Sequence, residues 1–159
     1  DRLHPHTDAV YPERAVLLTD DPNHPLASKT IQDLKGLTPI PYYDARLTVN
    51  DCFDLFKKGH QMIPIRNGGN IAGVVTRNSL AKAVADKKLH GMSSASHCTQ
   101  RDYLKVPSDV SLAVIANLLK TEVAVLCLNY TDDHKIRSIF VVSQTELLEN
   151  MHEALKEVI

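Results

Sequence analysis

The chain has 159 residues, of which 43% are hydrophobic and 23% charged, with a formal net charge of −1. A chain of this length buries roughly 70% of its unfolded surface and needs no disulfide or metal staple. The balanced charge excludes the basic field of a nucleic-acid binder. No apolar run approaches the ~20 residues of a membrane-spanning helix.

The N-terminal stretch has no signal-peptide core and starts without Met, which is consistent with an excised fragment. Residues 1 to about 27 carry Pro5, Pro12, Pro22 and Pro25 and read as an arm or linker, with one apolar patch, AVLL (15–18). Ser28 or Thr30 caps a short helix that ends near Leu34, with Gly36 as its stop.

From there the chain repeats itself. In the first copy TPIPYY (38–43) reads as an edge strand. Thr48, with Asp51 three later, caps a helix whose apolar positions are Val49, Cys52, Phe53 and Phe56. Gly59 stops it. QMIPI (61–65) and NIAGVVT (70–76) read as a hairpin around Asn67-Gly68-Gly69. A helix follows over 78–89, with Leu80, Ala83 and Val84 on one face.

In the second copy DYLKV (102–106) is extended, and Ser108 caps a helix over 110–120. VAVLCL (123–128) is a buried strand, YTDDHK (130–135) a polar turn and IRSIFVVS (136–143) the return strand. An amphipathic helix closes the chain over 145–159, with Leu147, Leu148, Met151 and Leu155 apolar. Each copy thus reads strand, helix, strand, strand, helix. The predicted class is α+β, with a repeat at 28–92 and another at 93–159. Each repeat is a three-stranded sheet with two helices on one face, and the bare faces bury each other sheet to sheet.

IAGVVTRNSL (71–80) and SIFVVSQTELL (138–148) carry the same pattern. An apolar strand ends in Thr or Ser, and an apolar helix starts within three residues. With GHQMIPI (59–65) and EVAVLCL (122–128) before them, these stretches resemble the cystathionine-β-synthase (CBS) domain, two of which form a Bateman module. The chain is most similar to the C-terminal regulatory regions of cystathionine β-synthases, through "IQDL", "TVNDCFDLFKKG" and the long second hairpin loop. The resemblance implies a regulatory module that binds S-adenosylmethionine and controls an attached or partner catalytic domain. It also implies a homodimer through the helices at 49–58 and 110–120. Two alternatives stay open. One is a pair with empty clefts that serves oligomerisation or autoinhibition; the other is a sensor of ATP or AMP for another partner.

The family binds its ligand in clefts between the copies. Vicinal ribose hydroxyls need an acceptor, and a carboxylate at a helix start suits them best. By the resemblance, Ser143 and Glu146 fill this place, with Glu where the family has Asp. Val141 and Thr145 lie beside the sugar, and Leu37, His60 and Met62 form the facing wall. A second, weaker cleft without the carboxylate would hold Thr76 and Ser79 of the first copy, with Tyr103 and Val123. The bland reading of Ser143-x-x-Glu146 is a capping box.

Cys52, Cys98 and Cys127 lack C-x-x-C spacing and read as buried hydrophobes in a reducing, cytoplasmic setting. His4, His6, His24, His90, His97, His134 and His152 are scattered and show no metal-ligand spacing. His97-Cys98 has no third member to make a catalytic set. No cofactor, metal or catalytic role is expected within the chain.

Overall fold

The computed structural model describes residues 23–34 and 36–149. The expected arm up to residue 22 and the closing helix beyond residue 149 lie outside the described residues. So do AVLL (15–18), His4, His6, Met151, His152 and Leu155.

The chain forms two compact units. Among the described residues the first is Pro41–Tyr103. The second comprises the described parts of Thr7–Ile40 and of Leu104–Ile159. These limits differ from the repeat boundaries read from sequence. Residues 28–40 go with the second unit, because Ile31 and Leu34 are buried in its core. Residues 93–103 go with the first, because Ala95 and Cys98 are buried in that core.

In the first unit Thr48 caps α1 (Val49–Lys57). Its hydroxyl accepts from the Asp51 N–H at 3.1 Å, and the Asp51 carboxylate accepts from the Thr48 N–H at 2.9 Å. This is the reciprocal box that the sequence predicts. Val49, Cys52 and Phe56 face the core, but Phe53 is 43% exposed. It is a correction to the expected apolar face, since position i+4 here falls at the edge of the buried stripe. Strands β1 (Ile63–Asn67) and β2 (Asn70–Val75) pair antiparallel across Gly68-Gly69, and Gly68 takes φ +63°. That left-handed geometry is why the turn uses glycine. Helix α2 (Arg77–Lys87) follows directly, capped by Thr76.

TPIPYY does not form the predicted strand. Pro39 and Pro41 have no N–H to give to a ladder. Only single bonds remain: Ile40 N–H to the Ile139 carbonyl at 2.7 Å, and Arg66 N–H to the Tyr43 carbonyl at 2.7 Å. The free edge of β2 is met instead by Gln100, which exchanges two backbone bonds with Val74 at 3.0 and 2.8 Å. Gly73 makes this approach possible, since a Cβ there would stand 2.8 Å from the Thr99 Cβ and 3.0 Å from the Gln100 carbonyl oxygen.

In the second unit Thr30 caps a 3-10 turn (Ile31–Asp33). The sheet runs β3 (Lys105–Pro107), β4 (Ala124–Tyr130), β5 (Ile136–Ser143), with β3 parallel and β5 antiparallel to β4. The central strand β4 is buried over Ala124–Leu128, as its unbroken apolar run predicts. Helix α3 (Leu112–Leu118) buries Leu112, Ala113, Val114, Ile115 and Leu118.

The cap of α3 is Ser111, not Ser108. The Val110 N–H bonds the Pro107 carbonyl at 3.3 Å, and this tight turn occupies Ser108 and Asp109. The next hydroxyl, Ser111, accepts from the Val114 N–H at 3.2 Å. Ser111→Ala is therefore expected to cost about 1 kcal/mol in urea unfolding. Ser108→Ala should leave the midpoint unchanged; the reverse pattern would restore Ser108 as the cap.

All three cysteines are buried free thiols. Among the described residues no helix is long and apolar enough to cross a membrane.

Candidate functional site

The two strand-to-helix turns share one design and differ in one group. In the second unit β5 ends at Ser143, which pairs with Ala124 of β4 and is 3% exposed. Residues 144–149 then turn helical. The Ser143 hydroxyl accepts from the Thr145 N–H at 3.3 Å and donates to the Glu146 carboxylate, 2.8 Å from Oε2 and 3.0 Å from Oε1. Oε1 also accepts from the Ser143 N–H at 3.1 Å. Gln144 Nε2 donates to the Leu119 carbonyl at 3.0 Å and ties this turn to the end of α3.

In the first unit β2 ends before Thr76. Its hydroxyl accepts from the Ser79 N–H at 3.1 Å and donates to Gln100 Oε1 at 3.1 Å. The Ser79 hydroxyl accepts from the Thr76 N–H at 2.8 Å and donates to the Thr76 carbonyl at 3.2 Å. Its single proton is thereby used. A carboxylate has about four acceptor sites and a hydroxyl two plus one proton. The two turns therefore differ in the acceptor they carry, a carboxylate in one and a hydroxyl in the other.

The other expected site residues fall in both units. Val141 is half-buried on β5, pairs with Leu126 and lies two residues before Ser143; Thr145 is exposed just beyond it. Leu37 packs against the second unit's core, which also holds Val142 and Leu147. His60 and Met62 belong to the first unit. The His60 Nδ1 lies 3.0 Å from the Leu55 carbonyl. A carbonyl only accepts, so Nδ1 is the donor in this contact. Met62 is 5% exposed. Tyr103 is buried in the first unit, with Thr76 and Ser79, whereas Val123 is in the second and 65% exposed.

Gln100 was missed from sequence. It bridges β2 and bonds Thr76, 24 positions away, and nothing local to it signals either contact. Arg77, at the start of α2, donates to the Phe56 carbonyl at 2.9 Å and to Gln61 Oε1 at 3.0 Å. It also lies over the Phe56 ring, 5.2 Å from its centroid. It closes the end of α1.

The first-unit turn, in which β2 hands Thr76 to the start of α2, lies within a stretch that matches a known family. Residues 32–86 match the family model of the CBS domain. The fold is also similar to that of solved CBS domain proteins over about four fifths of the chain. A CBS domain protein from Streptococcus pneumoniae TIGR4 is 12% identical, with TM-score 0.60, over 80% of this chain and 85% of that one. The CBS domain pair of a protein solved with 5′-methylthioadenosine and S-adenosyl-L-methionine is 17% identical, with TM-score 0.58, over 79% and 97%. The protein CBSX2, solved with AMP, is 18% identical, with TM-score 0.58, over 78% and 96%. At these identities the likeness is one of fold. No curated protein matches the chain. The α+β class and small sheets expected of CBS domains are thus present.

Proposed function

We propose that this chain is a regulatory module that binds an adenosyl ligand and passes the binding to an attached or partner catalytic chain. The observation that carries this reading is the carboxylate of Glu146 at the turn after β5, where it accepts from Ser143 and supplies the kind of charged acceptor that vicinal hydroxyls favour. The structural relatives crystallised with adenosyl compounds support the same ligand class. S-adenosylmethionine is the proposed ligand, because the turn presents no cation for a polyphosphate. Val141 and Thr145 flank the sugar in this proposal, and Leu37, His60 and Met62 offer apolar and stacking surface. The first-unit turn at Thr76 and Ser79, with Tyr103 and Val123, binds more weakly, since it lacks the carboxylate and its hydroxyl protons go to Gln100 and to the Thr76 carbonyl. Regulation follows if the ligand prefers one arrangement of the chain over another. Self-association through α1 and α3, and control of a cystathionine β-synthase catalytic domain, belong to the same proposal.

One observation favours a rival. The Ser143–Glu146 box is closed, and a helix cap needs nothing more. On that reading the module holds an oligomer together or covers a partner's active site.

Calorimetric titration with S-adenosylmethionine, ATP and AMP separates the two. The sensor reading expects binding of S-adenosylmethionine, weakened at least about tenfold in Glu146→Gln, the loss of one charge-assisted bond. Gln still accepts from Ser143, so the fold is kept. Absence of heat with all three ligands leaves the structural module as the function.

A further inference from the structure

The first unit contains a groove that shares only Ser79 with the residues of the adenosyl proposal. It lies between α2 and residues 97–100 and has a volume of about 370 Å³, within the range of small-molecule sites. It touches the Thr76–Ser79 turn at Ser79 and runs from there along α2 to Lys87.

Both walls are held in place. Gln100 is locked to β2 by its two bonds with Val74, and Gly73 gives the room. On the other side α2 presents Lys82, Ala83 and Asp86, which share a face by their spacing of three and four residues. The base of the groove is small and apolar. Ala83 and Cys98 line it, and both are core residues, 7% and 1% exposed. The rim is charged. Lys87 Nζ donates to the His97 carbonyl at 2.8 Å, which pins an ammonium at one end. Lys82 supplies a second, and Asp86 is the one carboxylate of the lining. Two cations against one anion leave the rim positive.

We infer that this groove binds a small molecule with a compact apolar body and one anionic oxygen group. The body lies over Ala83 and Cys98, where it gains the contact that a larger side chain at either place would take. The oxyanion meets Lys82, with Lys87 adding to the field. Carboxylates and phosphate monoesters share this chemistry. The inference does not rest on adenosyl binding at the second-unit turn, because it uses neither Ser143 nor Glu146, and its key residues Lys82, Ala83 and Asp86 belong to no adenosyl site proposed above.

The test is titration of the isotope-labelled full chain, read by amide chemical shifts. The probes are benzoate and phenyl phosphate, with benzamide and inorganic phosphate as controls. Benzoate or phenyl phosphate should shift the amides of 79–87 and 97–100 at millimolar concentration, and each control should bind several-fold more weakly. Lys82→Gln, at an exposed position, should weaken binding about threefold to tenfold, and Asp86→Asn should strengthen it. Ala83→Leu should abolish it by filling the base. Benzamide binding as tightly as benzoate, Lys82→Gln leaving the affinity unchanged, or no shifts up to about 10 mM would each overturn the inference. The exposed variants keep the test open even where Ala83→Leu disturbs the core.

Discussion

Replacing Ile115 with alanine is expected to cost about 2–5 kcal/mol of stability. Ile115 is 0% exposed at the middle of α3 and sits in the core that joins α3 to Leu26, Ile31, Val125 and Val142. Truncation removes three carbons from a close-packed site, and neighbours anchored in strands collapse only partly into the gap. The loss should appear as a lower urea midpoint and as faster amide exchange in β4. Phe53→Ala makes the control, since its ring is 43% exposed and exposed surface contributes little to stability. Equal losses in the two variants would mean that the core of the second unit is not where its stability resides.

Raising the pH above about 9 is expected to unfold the chain progressively. Burial pushes the thiol of Cys127 up to about 12 from 9.0. Burial, then the neighbouring Cys98 and Asp51, push Cys52 to about 12 as well. A folded-state pKa above the unfolded one means that the folded chain holds its proton longer. The associated stability is fully present below the unfolded value of 9.0. It is then lost as pH rises from there toward 12. For Cys127, fully buried in the second core, the slope is about 1.4 kcal/mol per pH unit within that window. Cys52 acts with the same sign, and burial raises Tyr43 and Tyr130 so that they follow at higher pH. Urea midpoints across this range, compared with Cys127→Ala, read the effect. The variant should show a flatter decline, and an identical slope would remove Cys127 from the account. The same burial predicts that thiol reagents label Cys127 only on unfolding.

Local chemistry made much of the fold readable. Thr48 with Asp51, Thr76 before α2, and the Gly68-Gly69 turn are all set by residues within four positions of one another, and each is where the sequence places it. The unbroken apolar run of β4 was equally plain. The misreadings arose at prolines and where a distant partner decides. Pro39 and Pro41 looked suited to an edge strand, yet they leave too few donors for a ladder. Ser108 looked like a cap because it precedes an apolar run, but a turn on Pro107 moved the helix start to Ser111. Gln100 has no pattern of its own and matters only because Gly73 lets it reach β2. At the candidate site the Ser-x-x-Glu spacing gave the geometry of the turn. That the Ser79 hydroxyl already uses its one proton on the Thr76 carbonyl came from the hydrogen bonds.

The interrupted course of the second unit sets a timetable for the chain at synthesis. Residues 23–40 emerge first but find their core partners only after residue 104, whereas Pro41–Tyr103 is uninterrupted and can close on its own. During translation, at roughly 5–20 residues per second, Leu26, Ile31 and Leu34 wait several seconds with their apolar surface uncovered. In that interval they are a target for a chaperone or for the same segment of another nascent chain.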